Sequence, residues 1–73
     1  MTSLPQVSGR DCVRALGKVG FRSVRQRGSH ISLRRDSPYA LVIDPNHREL
    51  DKGTLRAIIK QSGPSIAEFV QLL

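Results

Sequence analysis

Apolar positions follow a helical period near the N-terminus, alternate through the middle of the chain, and return to a helical period towards the end. Cys12, Val13, Leu16 and Val19 recur at helical spacing, while Arg10, Arg14 and Lys18 stand four residues apart on another face. Ser8 and Asp11 make a capping-box pattern ahead of them and Gly20 is a suitable stop, so a helix is predicted from about Ser8 to Val19. Phe21 to Arg27 reads as a short polar strand, and Gly28-Ser29 as a turn or bulge. From His30 to Arg34 the chain alternates: Ile31 and Leu33 point one way, His30, Ser32 and Arg34 the other. Asp36-Ser37-Pro38 is turn chemistry, and Tyr39 to Ile43 is the most apolar strand, expected to be the central or best-covered one. Asp44-Pro45-Asn46-His47 is expected to end it. Asp51 then caps a helix carrying Leu55, Ile58 and Ile59, Gly63-Pro64 stops it, and Ser65 to Glu68 opens a short last helix. The predicted fold class is α+β: helix, three-stranded antiparallel sheet, helix and short C-terminal helix, with one sheet face covered and the other wet.

Length narrows this further. Seventy-three residues make a single domain, 1–73, with 1–7 as a loose lead-in in which Pro5 discourages helix. There is no tryptophan, and Phe21, Tyr39 and Phe69 are the only aromatics, so aliphatic side chains must build the core. No deep cofactor pocket and no cofactor are expected of such a chain. Cys12, the single cysteine, sits on the apolar stripe of the first helix and reads as core, which leaves no intramolecular disulfide. A reducing cytoplasm is its natural setting. The first residues lack the basic and apolar regions of a signal peptide, and the run Ala40 to Ile43 is far too short to span a bilayer, so no membrane partner is expected.

Charge changes the picture most. The formal net charge is +6, nine of the twelve cations are arginine, and no acid occurs between Asp11 and Asp36. Arginine's planar fork suits phosphate and base contacts, so a nucleic acid is the favoured partner over a basic face that merely aids solubility. The stretch Arg25 to Arg35 concentrates this charge around a Gly-Ser-His step. A histidine beside phosphate-binding cations can serve as general base for a ribose 2′-hydroxyl. Equally, His30 can be a surface histidine that hydrogen-bonds phosphate or backbone. His47, in a Pro-x-His loop, is a possible second acid/base partner, a loop-bracing residue or plain surface. With Asp44 it falls short of the ligand count a zinc site needs, and no metal site is predicted. No P-loop, dinucleotide loop or nucleophile elbow occurs. Lys52 and Arg56, four apart at a helix start, are either a second phosphate contact or a solvated face.

Gly9 through Gly20-Phe21, Arg27-Gly28-Ser29-His30, Pro45-Asn46-His47 and Glu49 through Ile59 together resemble the HicA toxin family, in order and at the family's spacing. The resemblance implies a double-stranded-RNA-binding-like fold and the toxin component of a type II toxin–antitoxin system. It implies a ribosome-independent mRNA interferase, an endoribonuclease held inactive by a HicB antitoxin. Its catalytic histidine would be that of Gly-Ser-His, here His30. Beside it, the charge pattern makes Arg25, Arg27, Ser29 and Arg34 the expected RNA-phosphate contacts, with Lys52 and Arg56 a further one, and such charge stabilisation needs no metal. The alternative is a non-catalytic RNA-binding module of the same fold, reading A-form shape and 2′-hydroxyls; a third reading is a subunit whose basic face only docks an acidic antitoxin. Two positions depart from the family's pattern: Asp44 stands where an apolar residue is common, and Pro64 where an aliphatic one is.

Overall fold

The computed structural model describes residues 3–73. Helix α1 (Gly9–Gly17) is followed by strands β1 (Arg22–Arg27), β2 (His30–Asp36) and β3 (Tyr39–Pro45), then by helices α2 (Lys52–Ser62) and α3 (Ile66–Leu72). This is the α+β order expected from the sequence. The strands form an antiparallel meander in the order β1-β2-β3.

The three helices start where their caps dictate. The Ser8 hydroxyl accepts from the Asp11 amide at 3.0 Å while the Asp11 carboxylate accepts from the Ser8 amide, and Ser65 and Glu68 repeat the arrangement on α3. Asp51 accepts from both the amide and the hydroxyl of Thr54, which holds its carboxyl below the usual range. Leu16 from α1, Leu55, Ile58 and Ile59 from α2 and Phe69 from α3 bury against Phe21, Ile31, Leu33 and Val42 on one face of the sheet. Each such side chain contributes roughly 1.5–3 kcal/mol by leaving water. Among the described residues no helix is long and apolar enough to cross a membrane.

Three expectations are corrected. β3 is not central: consecutive hairpins place β2 in the middle and leave β3 on an edge, with Tyr39, Leu41 and Ile43 exposed and only Val42 and Asp44 fully buried. Its uniform apolarity concealed the alternation that the pleat imposes. The strand also runs on through Asp44 and Pro45, because Asp44 pairs with Ile31 and Pro45 with His30. Finally, the lead-in is held in place. Leu4 and Val7 join the core, the Leu50 amide donates to the Val7 carbonyl at 2.8 Å, and the Lys52 ammonium donates to the carbonyls of Leu4 and Pro5. Met1 and Thr2 lie outside the described residues.

Candidate functional site

The hairpin between β1 and β2 sets the geometry. Gly28 has φ +56° and no other residue of the turn has positive φ, which is the pattern of a two-residue type II′ turn. The turn brings Arg27 directly opposite His30 and, one step along the same face, Arg25 opposite Ser32. Normal alternation would set Arg22 on the other face from these two. A bulge at Val24 shifts the register between Ser23 and Arg25, so Arg22, Arg25 and Arg27 all share the open face with His30, Ser32 and Arg34. That face is therefore a basic row on β1, a mixed row on β2 and an apolar row of Tyr39, Leu41 and Ile43 on β3.

The arginines are not equivalent. Arg25 and Arg27 are exposed and make no ion pair among the described residues. Arg34 Nε lies 3.1 Å from Asp36 Oδ1 without hydrogen-bond alignment, and Arg22 donates to the other oxygen of Asp36 at 3.0 Å. The Arg22 hydrogen bond, then the charges of Arg22 and Arg34, hold the Asp36 carboxyl below its usual range. Arg34 also stands roughly 13 Å along the strand from His30, at about 3.3 Å per residue. Arg35 points to the other face, where its guanidinium sits 4.6 Å from the centre of the Phe21 ring.

His30 is exposed at the first position of β2, between Arg27 and Pro45. Behind it the Asn46 amide donates to the Ser29 carbonyl at 2.6 Å, tying the turn to the loop after β3. That loop is in turn fixed to α1: the Gly9 amide donates to the His47 carbonyl at 2.8 Å, and a Cβ on Gly9 would lie 2.8 Å from Asn46 Cα. The start of α1, the Asn46-His47 loop and the Gly28-Ser29 turn thus meet at one end of the molecule. His47 is exposed in that loop. Lys52 and Arg56 stand on α2, in the helical layer beneath the sheet, and Lys52 already bonds two carbonyls of the N-terminal segment. The structure therefore brings together Arg25, Arg27, Ser29 and His30, sets Arg34 further along beside an acid, and leaves Lys52 and Arg56 on the other layer. Among the described residues no three His, Cys, Asp or Glu side chains are grouped to hold a metal ion.

Sequence reasoning missed Asp44. It is fully buried, neither carboxylate oxygen has a hydrogen-bond partner, and burial pushes its carboxyl up to about 7. The departure from the family's pattern at this position was the available signal. Asp36 as a brace for two arginines, and Asn46 as the tie behind His30, were also missed, since both depend on cross-strand register.

Residues 9–63, most of the chain, match the family model for the HicA toxin of bacterial toxin–antitoxin. The chain belongs to the HicA toxin family. No curated protein matches it. A HicA-family protein is one half of a toxin–antitoxin pair, so an antitoxin partner follows from the membership.

Proposed function

We propose that this HicA-family protein is a ribosome-independent endoribonuclease that cuts mRNA with His30 as its single catalytic histidine. The observation that carries the reading is the pairing at the hairpin: an exposed imidazole with Arg27 opposite and Arg25 one step on, and no acid among them. In the proposed step RNA lies across the open face with a phosphate between the arginines. His30 accepts the proton of the adjacent 2′-hydroxyl, the 2′-oxygen attacks phosphorus, the bond to the 5′-oxygen breaks, and that oxygen regains a proton. The guanidiniums stabilise the charge developing on the non-bridging oxygens, which requires no metal. Ser29, in the turn, is a further phosphate donor. Lys52 and Arg56 would contact RNA only where it wraps beyond the sheet.

One observation favours a second reading. Among the described residues His30 makes no side-chain hydrogen bond that would orient its ring, as a non-catalytic RNA-binding module would allow. A single-turnover assay with protein in excess over end-labelled RNA, run with a chelator present, separates the two. Cleavage is expected. Salt-sensitive binding with intact RNA at every protein concentration would select the module.

We further propose that the antitoxin is of the HicB type and acidic. Support comes from the open face itself, where Tyr39, Leu41 and Ile43 are 68, 49 and 47 % exposed beside a row of arginines. Exposed apolar side chains in a contiguous row suit a protein partner better than RNA alone. An mRNA substrate and this partner both imply a cytoplasmic site of action.

A further inference from the structure

Beneath the hairpin end of the sheet, on the side away from His30, α1 and the strands leave a cleft of about 340 Å³ lined by Arg10, Val13, Arg14, Ile31 and Asn46. Its volume lies near the lower end of small-ligand sites, roughly 300–1,000 Å³, which suits one nucleotide and not a folded element. The floor is apolar: Ile31 is nearly buried and Val13 half-buried. The walls are not. Arg10 and Arg14 are one helical turn apart on α1 and both exposed. Arg10 makes no ion pair among the described residues, and Arg14 has only the exposed carboxylate of Asp11 at 3.5 Å. Arg14 is thus held only by this one exposed contact, and Arg10 by no ion pair among the described residues.

Asn46 supplies the remaining element. Its backbone amide is fixed to the Ser29 carbonyl, so the residue is held against the turn that carries His30. Its side-chain amide makes no hydrogen bond within the described protein, and it offers one donor group and one acceptor to whatever enters. An apolar floor, a bifunctional amide and two guanidiniums match the three parts of a nucleotide. A base face can rest on the aliphatic side chains or stack on a guanidinium, a base edge can pair with the amide, and a phosphate can take the free arginine. Inorganic phosphate would leave the floor and the amide unused. Ile31 follows His30 directly and faces the opposite side of the sheet, so an RNA strand turning round this corner has adjacent nucleotides on both sides of it.

We propose that this cleft seats one unpaired nucleobase of the RNA next to the scissile linkage and thereby sets the base preference of cleavage. The proposal rests on the ribonuclease reading above. It assigns Asn46 to the base edge, Val13 and Ile31 to the base face, and Arg10 and Arg14 to the flanking phosphate or to stacking.

Two measurements test it. In the first, cut sites of the wild-type protein, Asn46→Ala and Arg10→Ala are mapped on RNA randomised around one position. The wild type is expected to prefer one or two bases, and Asn46→Ala to shrink the ratio of best to worst base by about tenfold, the scale of losing one paired contact. An unchanged ratio in Asn46→Ala would overturn the proposal. In the second, the ¹⁵N-labelled wild-type protein is titrated with the four nucleoside 3′-monophosphates and, separately, with inorganic phosphate and with an Asp/Glu-rich peptide. Base-dependent shifts at Val13, Ile31 and Asn46 are expected. Shifts reproduced by phosphate alone, or by the peptide but not the nucleotides, would overturn it. If the wild type cuts no RNA, the ribonuclease reading fails by itself, and the titration still decides what the cleft binds.

Discussion

Single residues decide the precision of this site. Gly28 holds φ +56° with nothing near the position of a Cβ, so its replacement is costly for the backbone and not for packing. Gly28→Ala is expected to lower stability by about 1–2 kcal/mol in urea unfolding, the cost of a left-handed residue with a side chain. It should also reduce RNA cleavage more than the stability loss explains, because His30 sits two residues on. Asp44 acts in the other direction. Its carboxyl keeps its proton in the folded chain up to about pH 7 and loses it near the ordinary 3.8 when unfolded. Between those values the folded state holds the extra proton, so stability falls by about 1.4 kcal/mol per pH unit as pH rises and levels off above about 7. Asp44→Leu should remove that slope and raise stability at pH 8 by about 1–3 kcal/mol, the cost of an unsatisfied buried polar group. Urea titrations at pH 5, 6, 7 and 8 check both points; a wild-type stability that rises over this range, or a destabilised Asp44→Leu, would contradict them. The charge and the candidate histidine were legible in the sequence. The pairing of Arg22 with Asp36 and the capture of Lys52 by two carbonyls were not, since each depends on a contact between distant segments.

Among the elements, caps and alternation were readable and coverage was not. Ser8, Asp51 and Ser65 mark their helices because each side chain satisfies an amide a few residues on. β2 was legible because its two faces differ in chemistry. β3 was legible as a strand but its facing was not, because nearly every residue in it is apolar and period two leaves no trace in such a run. The bulge at Val24 carries no local signature either, yet it decides which arginines share a face with His30. The docking of α1 depends on Gly9, whose backbone touches the loop behind the Gly28-Ser29 turn. Gly9→Ala would place a methyl 2.8 Å from Asn46 Cα. Such overpacking costs about 1–3 kcal/mol, and about 4–8 °C of Tm for each kcal/mol in a domain this small. A melting curve of Gly9→Ala within 2 °C of wild type, taken as about the resolution of the method, would mean that this contact relaxes freely.

At the scale of the molecule, the open sheet face carries two chemistries: its basic row suits RNA and its apolar row suits protein, and the proposed function would use both. The logarithm of the RNA binding constant should fall linearly with log salt, and Arg25→Ala and Arg27→Ala should each reduce the slope by about 0.7 on single-stranded RNA. Arg34→Ala should reduce it less, because Asp36 already offsets that charge. Equal effects from all three would contradict the distinction drawn from the ion pairs. Leu41→Ser with Ile43→Ser should weaken an acidic antitoxin at least about tenfold by loss of buried apolar area, with RNA binding little changed; calorimetry against the partner and filter binding of RNA report the two separately.

In the proposed function His30 performs the chemistry. Wild type and His30→Ala, each shown folded by an unchanged thermal transition, are compared in single-turnover cleavage of the same RNA at matched, saturating protein. Loss of cleavage by about a hundredfold or more, the scale of removing a general acid–base group, is expected with RNA affinity retained. Cleavage by folded His30→Ala at the wild-type rate would contradict the account.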